Sequence, residues 1–421
     1  MDAVKKFLKE HWDQKSPLLL GYSGGNDSKA LLYSLLEYGI LPHLAHVDHG
    51  WREESLQEAL HLSQEAERLG LPFHTIRLLP DRREVAAREK RLEFFASLQK
   101  KIPFQALLLA HHADDEAETT LKRVLEGAHL AHLGGMKPVF AMKELILWRP
   151  LLEVNRKEIS TYLENKKLES IQDATNFDPA YLRARMRTQI FPHLSALFGK
   201  EVAGNLSLLG KRAHELNDYL NRRTNEAFQL VMRGPWGLCL PPCILEPIEL
   251  RHLLQRMGIF CHRSLLDDLV KALLERQPNR KVGSIMVADR GWFFCLSQPQ
   301  PRFLEPVSVK EGVFYSGDWR IEIVSSGNDV QSASDWRHVW LGTFSLSVPE
   351  GMYQIALPPN LGAFRKMLNE KKVPAFLRPH LPAIYQEGKW AGDFLSGQKI
   401  PGNEKYRIHF FYVPTGSSLK K

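Results

Sequence analysis

Short apolar runs alternate with amphipathic stretches along residues 1–150. Runs with the length and apolar content of buried strands occupy residues 17–22, 43–47, 73–79 and 105–110, with a further candidate at 145–148. Between them, apolar positions recur at helical spacing over residues 30–36, 55–69, 83–98 and 114–125. This alternation of strands and helices predicts an α/β domain with a parallel sheet and helices on both faces.

The pattern changes after this predicted sheet. Helical periodicity covers residues 155–168 and, after a polar turn at 173–179, continues from 181 to about 230 with many Arg and Lys. A Pro-rich break leads to a helical stretch at 247–276, a hairpin at 281–298 around Asp289-Arg290-Gly291, strand-like residues at 303–357 and a final basic helix with short strands. We therefore expect an α/β domain at 1–205, a mainly helical middle domain at 206–300 and a small α+β domain at 301–421.

Composition narrows the class of protein. Apolar residues make up 44% of the 421 residues and charged residues 25%, which is ordinary for a globular protein. The sequence has neither an apolar run of the ~20 residues that a membrane span needs nor an apolar segment near Met1 typical of a signal peptide, so we expect a cytoplasmic protein without a membrane partner. The net charge of +8 is compatible with a polyanionic partner, although composition alone favours the simpler explanation of a basic surface on a soluble protein.

The strongest candidate for chemistry is a glycine-rich loop between the first predicted strand and its helix. Its residues are Ser23-Gly24-Gly25-Asn26-Asp27-Ser28. The glycines let the backbone approach a phosphate, and the helix N-terminus supplies free N–H groups. Neither the Walker A spacing nor the dinucleotide fingerprint is present, and an ordinary tight turn is the alternative. Asp27 would repel bare phosphate, so it implies either a nearby Mg²⁺ or a helix-capping role.

A second candidate is the acidic start of the helix predicted at 114–125. Asp114, Asp115 and Glu118 have the spacing that places carboxylates on one helical face. Such a face suits a Mg²⁺ ion or an ammonium group. A solvated first turn, where acids are favoured by the helix dipole, is the alternative.

The glycine-rich loop in its strand–loop–helix context resembles the PP-loop of the ATP-pyrophosphatase superfamily. Further strings, in this order, resemble the bacterial tRNA(Ile)-lysidine synthetase family. They are HVDHG at 46–50, EVAAREKR at 84–91, HHADDEAET at 111–119, LGGM at 133–136, RPLL at 149–152, DATN at 173–176 and RTQIFP at 187–192. The resemblance covers about residues 15–195 and continues weakly at 366–374, with departures from the family pattern at Leu92, Glu126 and Ala184.

The resemblance implies an adenine-nucleotide α-hydrolase-like fold and a ligase that uses ATP with Mg²⁺. It implies as partners a tRNA(Ile) with a CAU anticodon and free L-lysine, joined at carbon-2 of the wobble cytidine through an adenylated intermediate, with release of pyrophosphate and AMP. The implied ATP-binding residues are Ser23, Gly24, Gly25, Asn26, Asp27 and Ser28. The implied catalytic residues are Asp27, Arg88, His112, Asp115 and Glu118, and the implied metal ligands are Asp27 and Asp114.

Two other classes of function stay open at this point. A PP-loop tRNA thiolase needs cysteines near the loop, and residues 1–238 contain none. A non-catalytic RNA-binding protein would not need an intact glycine-rich loop.

Residues 362–421 carry far more Lys and Arg than Asp and Glu, so we expect the C-terminal domain to bind the tRNA body.

Overall fold

The structure is a computed structural model that describes residues 1–48, 50, 54–78, 84–171, 182–303, 305–325, 335–357, 365–394 and 400–413, without the side chains at 54, 84–86 and 88. The chain divides into two compact units, Met1–Tyr219 and Leu220–Lys421. The domain boundaries expected near 205 and 300 stay predictions. Among the described residues, no helix combines the length and the apolar character that crossing a membrane requires.

The first unit is built on a six-stranded sheet. Its strands are β1 (Leu18–Gly21), β2 (His43–Asp48), β3 (Phe73–Arg77), β4 (Ala106–Leu108), β5 (Val139–Met142) and β6 (Leu145–Trp148). They lie in the order β3-β2-β1-β4-β6-β5, and every pair is parallel except the antiparallel edge pair β5–β6. The predicted parallel sheet is therefore confirmed, with β5 as an additional edge strand.

Helices cover both faces of this sheet. The helices of this part of the chain are α1 (Asp2–His11), α2 (Asn26–Glu37), α3 (Glu54–Arg68), α4 (Glu84–Lys101), α5 (Ala113–Leu125), α6 (Arg156–Lys166), α7 (Leu182–Arg185), α8 (Phe191–Phe198) and α9 (Val202–Arg223), with a π-helical segment, Met186–Ile190, between α7 and α8. Leu18 and Leu20 belong to one apolar cluster and Leu19 to another. Successive strand residues point to opposite faces, so the run of leucines in β1 is buried on both sides.

The second unit combines helices with antiparallel sheets. The strands are β7 (Met232–Gly234), β8 (Gly237–Leu240), β9 (Arg280–Val282), β10 (Met286–Asp289), β11 (Trp292–Leu296), β12 (Val307–Ser308), β13 (Gly312–Ser316), β14 (Trp319–Ser325), β15 (Thr343–Pro349), β16 (Tyr353–Ala356), β17 (Ala383–Gln386), β18 (Lys389–Asp393) and β19 (Glu404–Tyr412). The helices are α10 (Asn225–Gln229), α11 (Pro247–Arg256), α12 (Arg263–Leu274), α13 (Trp336–Leu341) and α14 (Arg365–Glu370). The stretch expected to be mainly helical thus also contains the sheet β7-β8-β11-β10-β9.

Candidate active site

The glycine loop, residues 23–28, connects β1 to α2 and is held in a tight turn. Gly24 has a φ of +76°, and a Cβ there would lie 2.8 Å from Ile171 Cδ1. Glycine is required at this position because another side chain would be both strained and obstructed. The Ser23 and Ser28 hydroxyls lie 3.1 Å apart across the turn, and the Ser23 N–H donates to Ser28 Oγ at 3.3 Å. The backbone of the loop is therefore preorganised for a ligand.

The first turn of α2 is open at its N-terminus. Its N-cap, Gly25, makes no side-chain capping bond, so the first-turn N–H groups of the described helix keep their capacity to bind an anion. Asp27 lies on this turn with 37% of its side chain exposed. Partial burial of the Asp27 carboxyl raises its pKa above the ordinary value. The charge of His112 acts to lower this pKa but does not outweigh burial.

His112 links the glycine loop to α5. Its fully buried ring caps α5: Nδ1 accepts the Asp114 N–H at 3.2 Å and lies 3.4 Å from Asp114 Oδ2. Its Nε2 lies 3.6 Å from Asp27 Oδ2 and 3.6 Å from Asp115 Oδ2, without a hydrogen-bond partner among the described residues. Because Nδ1 is an acceptor, the proton of the neutral ring lies on Nε2 and faces two carboxylates.

Asp115 and Glu118 are buried on the first turns of α5 and share one cation. Asp115 Oδ2 closes the capping box by accepting the His112 N–H at 3.0 Å, and Asp115 Oδ1 accepts from Arg187 Nη2 at 2.8 Å. Arg187 also donates to both oxygens of Glu118, from Nε to Oε1 and from Nη2 to Oε2 at 3.2 Å. Arg183 Nε lies 4.0 Å from Glu118 Oε2. One guanidinium therefore bridges the two carboxylates that the sequence singled out.

The surroundings of Asp115, Glu118 and His112 shift their pKa values by different causes and in different directions. Burial alone would raise the pKa of Asp115, but His112 and Arg187 outweigh it and lower the value. Burial dominates at Glu118 and raises its pKa despite Arg187. Burial acts to lower the pKa of His112, but the interaction of its protonated ring with the Asp114 carboxylate and the charges of Asp115 and Asp27 raise it overall. The site thus contains one carboxylate held ionised beside one that protonates more easily.

A third buried carboxylate on α5 holds the LGGM segment. Glu116 accepts the N–H of Gly135 at 2.8 Å through Oε1 and the N–H of Met136 at 2.7 Å through Oε2. Gly210 of α9 approaches so closely that a Cβ there would lie 2.6 Å from Glu116 Oε1. Glu116 was not among the predicted site residues. Its contacts show that it fixes a loop beside α5.

The structure brings Asp27, His112, Asp115 and Glu118 into one cluster, in which Arg187 bonds to Asp115 and Glu118. Asp114 lies at the edge of this cluster, and its Oδ2 accepts the Arg156 N–H at 2.8 Å. The side chain of Arg88 lies outside the described residues, as do His49 and the DATN string at 173–176. The pairing of Arg187 with the acids of α5 was not predicted, because it joins residues 69 and 72 positions apart.

Comparisons with known proteins place this geometry in context. Residues 1–194 match the PP-loop domain family. A tRNA(Ile)-lysidine synthase from Protochlamydia amoebophila is 33% identical over 436 aligned residues, which cover 96% of this chain and 95% of the relative. The enzyme of the same name from Chlamydia muridarum is 43% identical over 66% of this chain and 92% of its own. The one from Chlamydia caviae is 37% identical over 66% and 91%, respectively.

Proposed function

Because this chain belongs to the tRNA(Ile)-lysidine synthase family, we propose that it joins free lysine to carbon-2 of the wobble cytidine of a tRNA(Ile) with a CAU anticodon. The observation that supports this proposal is the contact of His112 with both Asp27 of the glycine loop and Asp115 of α5. The glycine loop, to which we assign ATP, and an acidic cluster suited to an amine are thereby neighbours. That is the arrangement that a two-step ligation of an amine needs.

In the first step the cytidine carbonyl oxygen attacks the α-phosphorus of ATP, and pyrophosphate leaves. No covalent bond to the enzyme is required, so positioning and charge stabilisation carry the catalysis. We assign the phosphates to the N–H groups of the first turn of α2 and to the hydroxyls of Ser23 and Ser28. The protonated state of His112, favoured by its neighbours, adds positive charge beside the loop.

The donor set beside the loop fits Mg²⁺, which prefers carboxylate oxygens and phosphate. We propose Asp27 as its principal protein ligand, since this carboxylate is partly exposed on the turn that receives the phosphates. Asp114 is the second candidate, although its Oδ2 already accepts the Arg156 N–H. When bound, the ion would neutralise the charge of the departing pyrophosphate.

In the second step the ε-amine of lysine attacks carbon-2 and AMP leaves with the former carbonyl oxygen. The amine arrives protonated, because its ordinary pKa is near 10.4, and it loses a proton before attack. We propose that Asp115 and Glu118 bind the ammonium. The raised pKa of Glu118 suits it to accept the proton. Arg187 occupies the same oxygens here, so lysine binding requires its guanidinium to release at least one hydrogen bond.

We assign the tRNA body to the C-terminal part of the chain. Exposed basic side chains lie on α14, directly after it and at the start of β18; they are Arg365, Lys366, Lys371, Lys372 and Lys389. Phosphate contacts of this kind give affinity that falls with salt and depends little on sequence. Arg88 on α4 stays a proposed catalytic residue, on the family resemblance.

The proposal can be tested by measuring the release of pyrophosphate from ATP in three reactions, with tRNA alone, with lysine alone and with both. We expect release to need tRNA, and repeated turnover to need lysine as well. Asp115→Asn should retain the first step and lose lysine transfer. Glu158→Gln is the matched control, because Glu158 closes the same kind of capping box on α6 by accepting the Asn155 N–H at 2.9 Å, with an exposed side chain. Pyrophosphate release that ignores both tRNA and lysine would contradict the proposal.

A further inference from the structure

Lys29 directly follows the glycine loop, but its ammonium bonds to residues outside the loop. The residue is only 7% exposed. Its Nζ lies 3.1 Å from Glu65 Oε1 on α3 and donates to the Glu169 carbonyl oxygen at 2.5 Å. The ammonium is therefore engaged beneath the loop and does not face the open first turn of α2.

Glu65 is the centre of a buried network around this ammonium. It is 4% exposed, and its Oε2 accepts the Tyr22 hydroxyl at 2.7 Å while its Oε1 accepts the Tyr33 hydroxyl at 3.2 Å. Tyr22 immediately precedes the loop and is itself buried. The carboxylate thus holds the residue before the loop and, through Lys29, the residue after it.

The same network reaches a short strap, residues 169–171, which lies against the loop. The Ile171 N–H donates to the Gly24 carbonyl oxygen at 3.0 Å, and the Ser170 hydroxyl donates to Asn26 Oδ1. Lys29 adds the third connection through the Glu169 carbonyl. Three consecutive strap residues therefore hold three positions in or next to the loop.

We propose that Lys29 and Glu65 are positioning residues for ATP, which fix the glycine loop against the strap without touching the nucleotide. This inference rests on the proposed assignment of the glycine loop to the ATP phosphates. Burying an ion pair is expensive, and an apolar pair would pack at least as well. What the pair supplies here is geometric: the ammonium is a donor that an apolar side chain cannot replace at the Glu169 carbonyl.

The test is the double variant Lys29→Met with Glu65→Gln in the full-length protein. It removes both charges together, so no unpaired charge stays buried, and glutamine can still accept a tyrosine hydroxyl. Loss of the charge-assisted bond to the strap should raise both the ATP KM and the ATP Kd by about tenfold. The kcat and the lysine KM should stay within about twofold. Lys29→Arg, which keeps a charged donor, should restore most of the ATP affinity.

Lys166→Met is the matched control. Lys166 of α6 pairs with Glu37, at the end of α2 that lies far from the loop, and so joins these two helices without touching the loop or the strap. We expect it to leave the ATP KM unchanged. A merely structural role would lower the folded fraction and hence the apparent kcat, with an unchanged ATP KM; that result in the double variant would overturn the proposal, as would a wild-type ATP KM and kcat.

Gly24→Ala separates this inference from the assignment on which it rests. A Cβ at Gly24 would meet Ile171 and Leu62, so this change distorts the loop directly. If Gly24→Ala weakens ATP binding by calorimetry and the double variant does not, the positioning role is wrong and the loop assignment stands. If neither change affects ATP binding, the loop assignment itself fails, and the positioning role fails with it.

Discussion

Arg187→Met is the substitution that tests the buried cluster most sharply. It removes the guanidinium and keeps an unbranched apolar side chain of comparable length. Asp115 and Glu118, which are 7% and 2% exposed, then face each other without the cation that now bonds to both. Two buried carboxylates would be left with like charge and fewer donors.

The expected loss of stability follows from these contacts. Removing one partner of a buried ion pair costs about 3–5 kcal/mol. Asp115 keeps its bond from the His112 N–H, and the Arg187 side chain is 17% exposed, so we expect the lower end, about 3 kcal/mol. That corresponds to about a hundredfold change in the ratio of folded to unfolded protein. A typical domain stability of about 5–15 kcal/mol leaves the variant folded.

The loss should depend on pH. Burial already raises the pKa of Glu118 in the folded protein, and removal of Arg187 raises it further. An acid with a raised folded pKa destabilises the protein fully at pH above that value. This destabilisation decreases as the pH falls below the folded pKa. It is gone once the pH is below the pKa of the unfolded chain as well, because the carboxyl is then protonated in both states. The variant should therefore lose more stability at pH 8 than at pH 5.

Urea unfolding of four proteins measures this: wild type, Arg187→Met, Glu118→Gln and the double variant. We expect the double variant to be more stable than the sum of the single changes predicts, because the neutral amide at position 118 no longer needs a cation. A loss below about 0.5 kcal/mol in Arg187→Met, or one that is equal at pH 5 and pH 8, would refute the buried ion pair.

Three further predictions concern activity. Asp27→Ala should abolish pyrophosphate release while the urea midpoint stays unchanged, since the side chain is partly exposed; wild-type release would contradict its role. Asp115→Asn and Glu118→Gln should reduce incorporation of labelled lysine at least tenfold more than adenylation of tRNA, measured at saturating ATP, and an equal fall would assign both residues to ATP. Lys371→Glu with Lys372→Glu should weaken tRNA binding without affecting ATP binding. The slope of log affinity against log salt concentration should fall by about one to two, and a tRNA affinity equal to that of wild type would exclude these contacts.

The core of the first unit could be predicted because burial on both faces of a sheet leaves continuous apolar runs in the sequence. The hairpin β10–β11 was predictable because its turn signal, Asp289-Arg290-Gly291, is local in the sequence. A two-residue turn requires positive φ, and the structure has positive φ at Arg290 and Gly291. β5 was missed because Val139, Phe140 and Ala141 are exposed at the sheet edge and show no burial pattern. β7 and β8 have three and four residues, too few for a periodicity to emerge.

The candidate site was predictable where chemistry is local and not where it depends on tertiary contacts. The glycine loop and the acids of α5 each stand within one short string. The cation of the acids comes from Arg187, on a π-helical segment whose unusual geometry the sequence does not indicate. Lys29 shows the same limit, since only the fold reveals that it turns toward Glu65.

Transfer of lysine to one nucleotide of one tRNA can be measured directly. The experiment supplies labelled lysine and ATP to an unmodified tRNA(Ile) transcript with a CAU anticodon, then maps the label by nuclease digestion and mass spectrometry. We expect one lysine per tRNA, bound at the wobble cytidine, with one AMP and one pyrophosphate released. Lysine at any other nucleotide, or an adenylated cytidine that never accepts lysine, would contradict the proposed function.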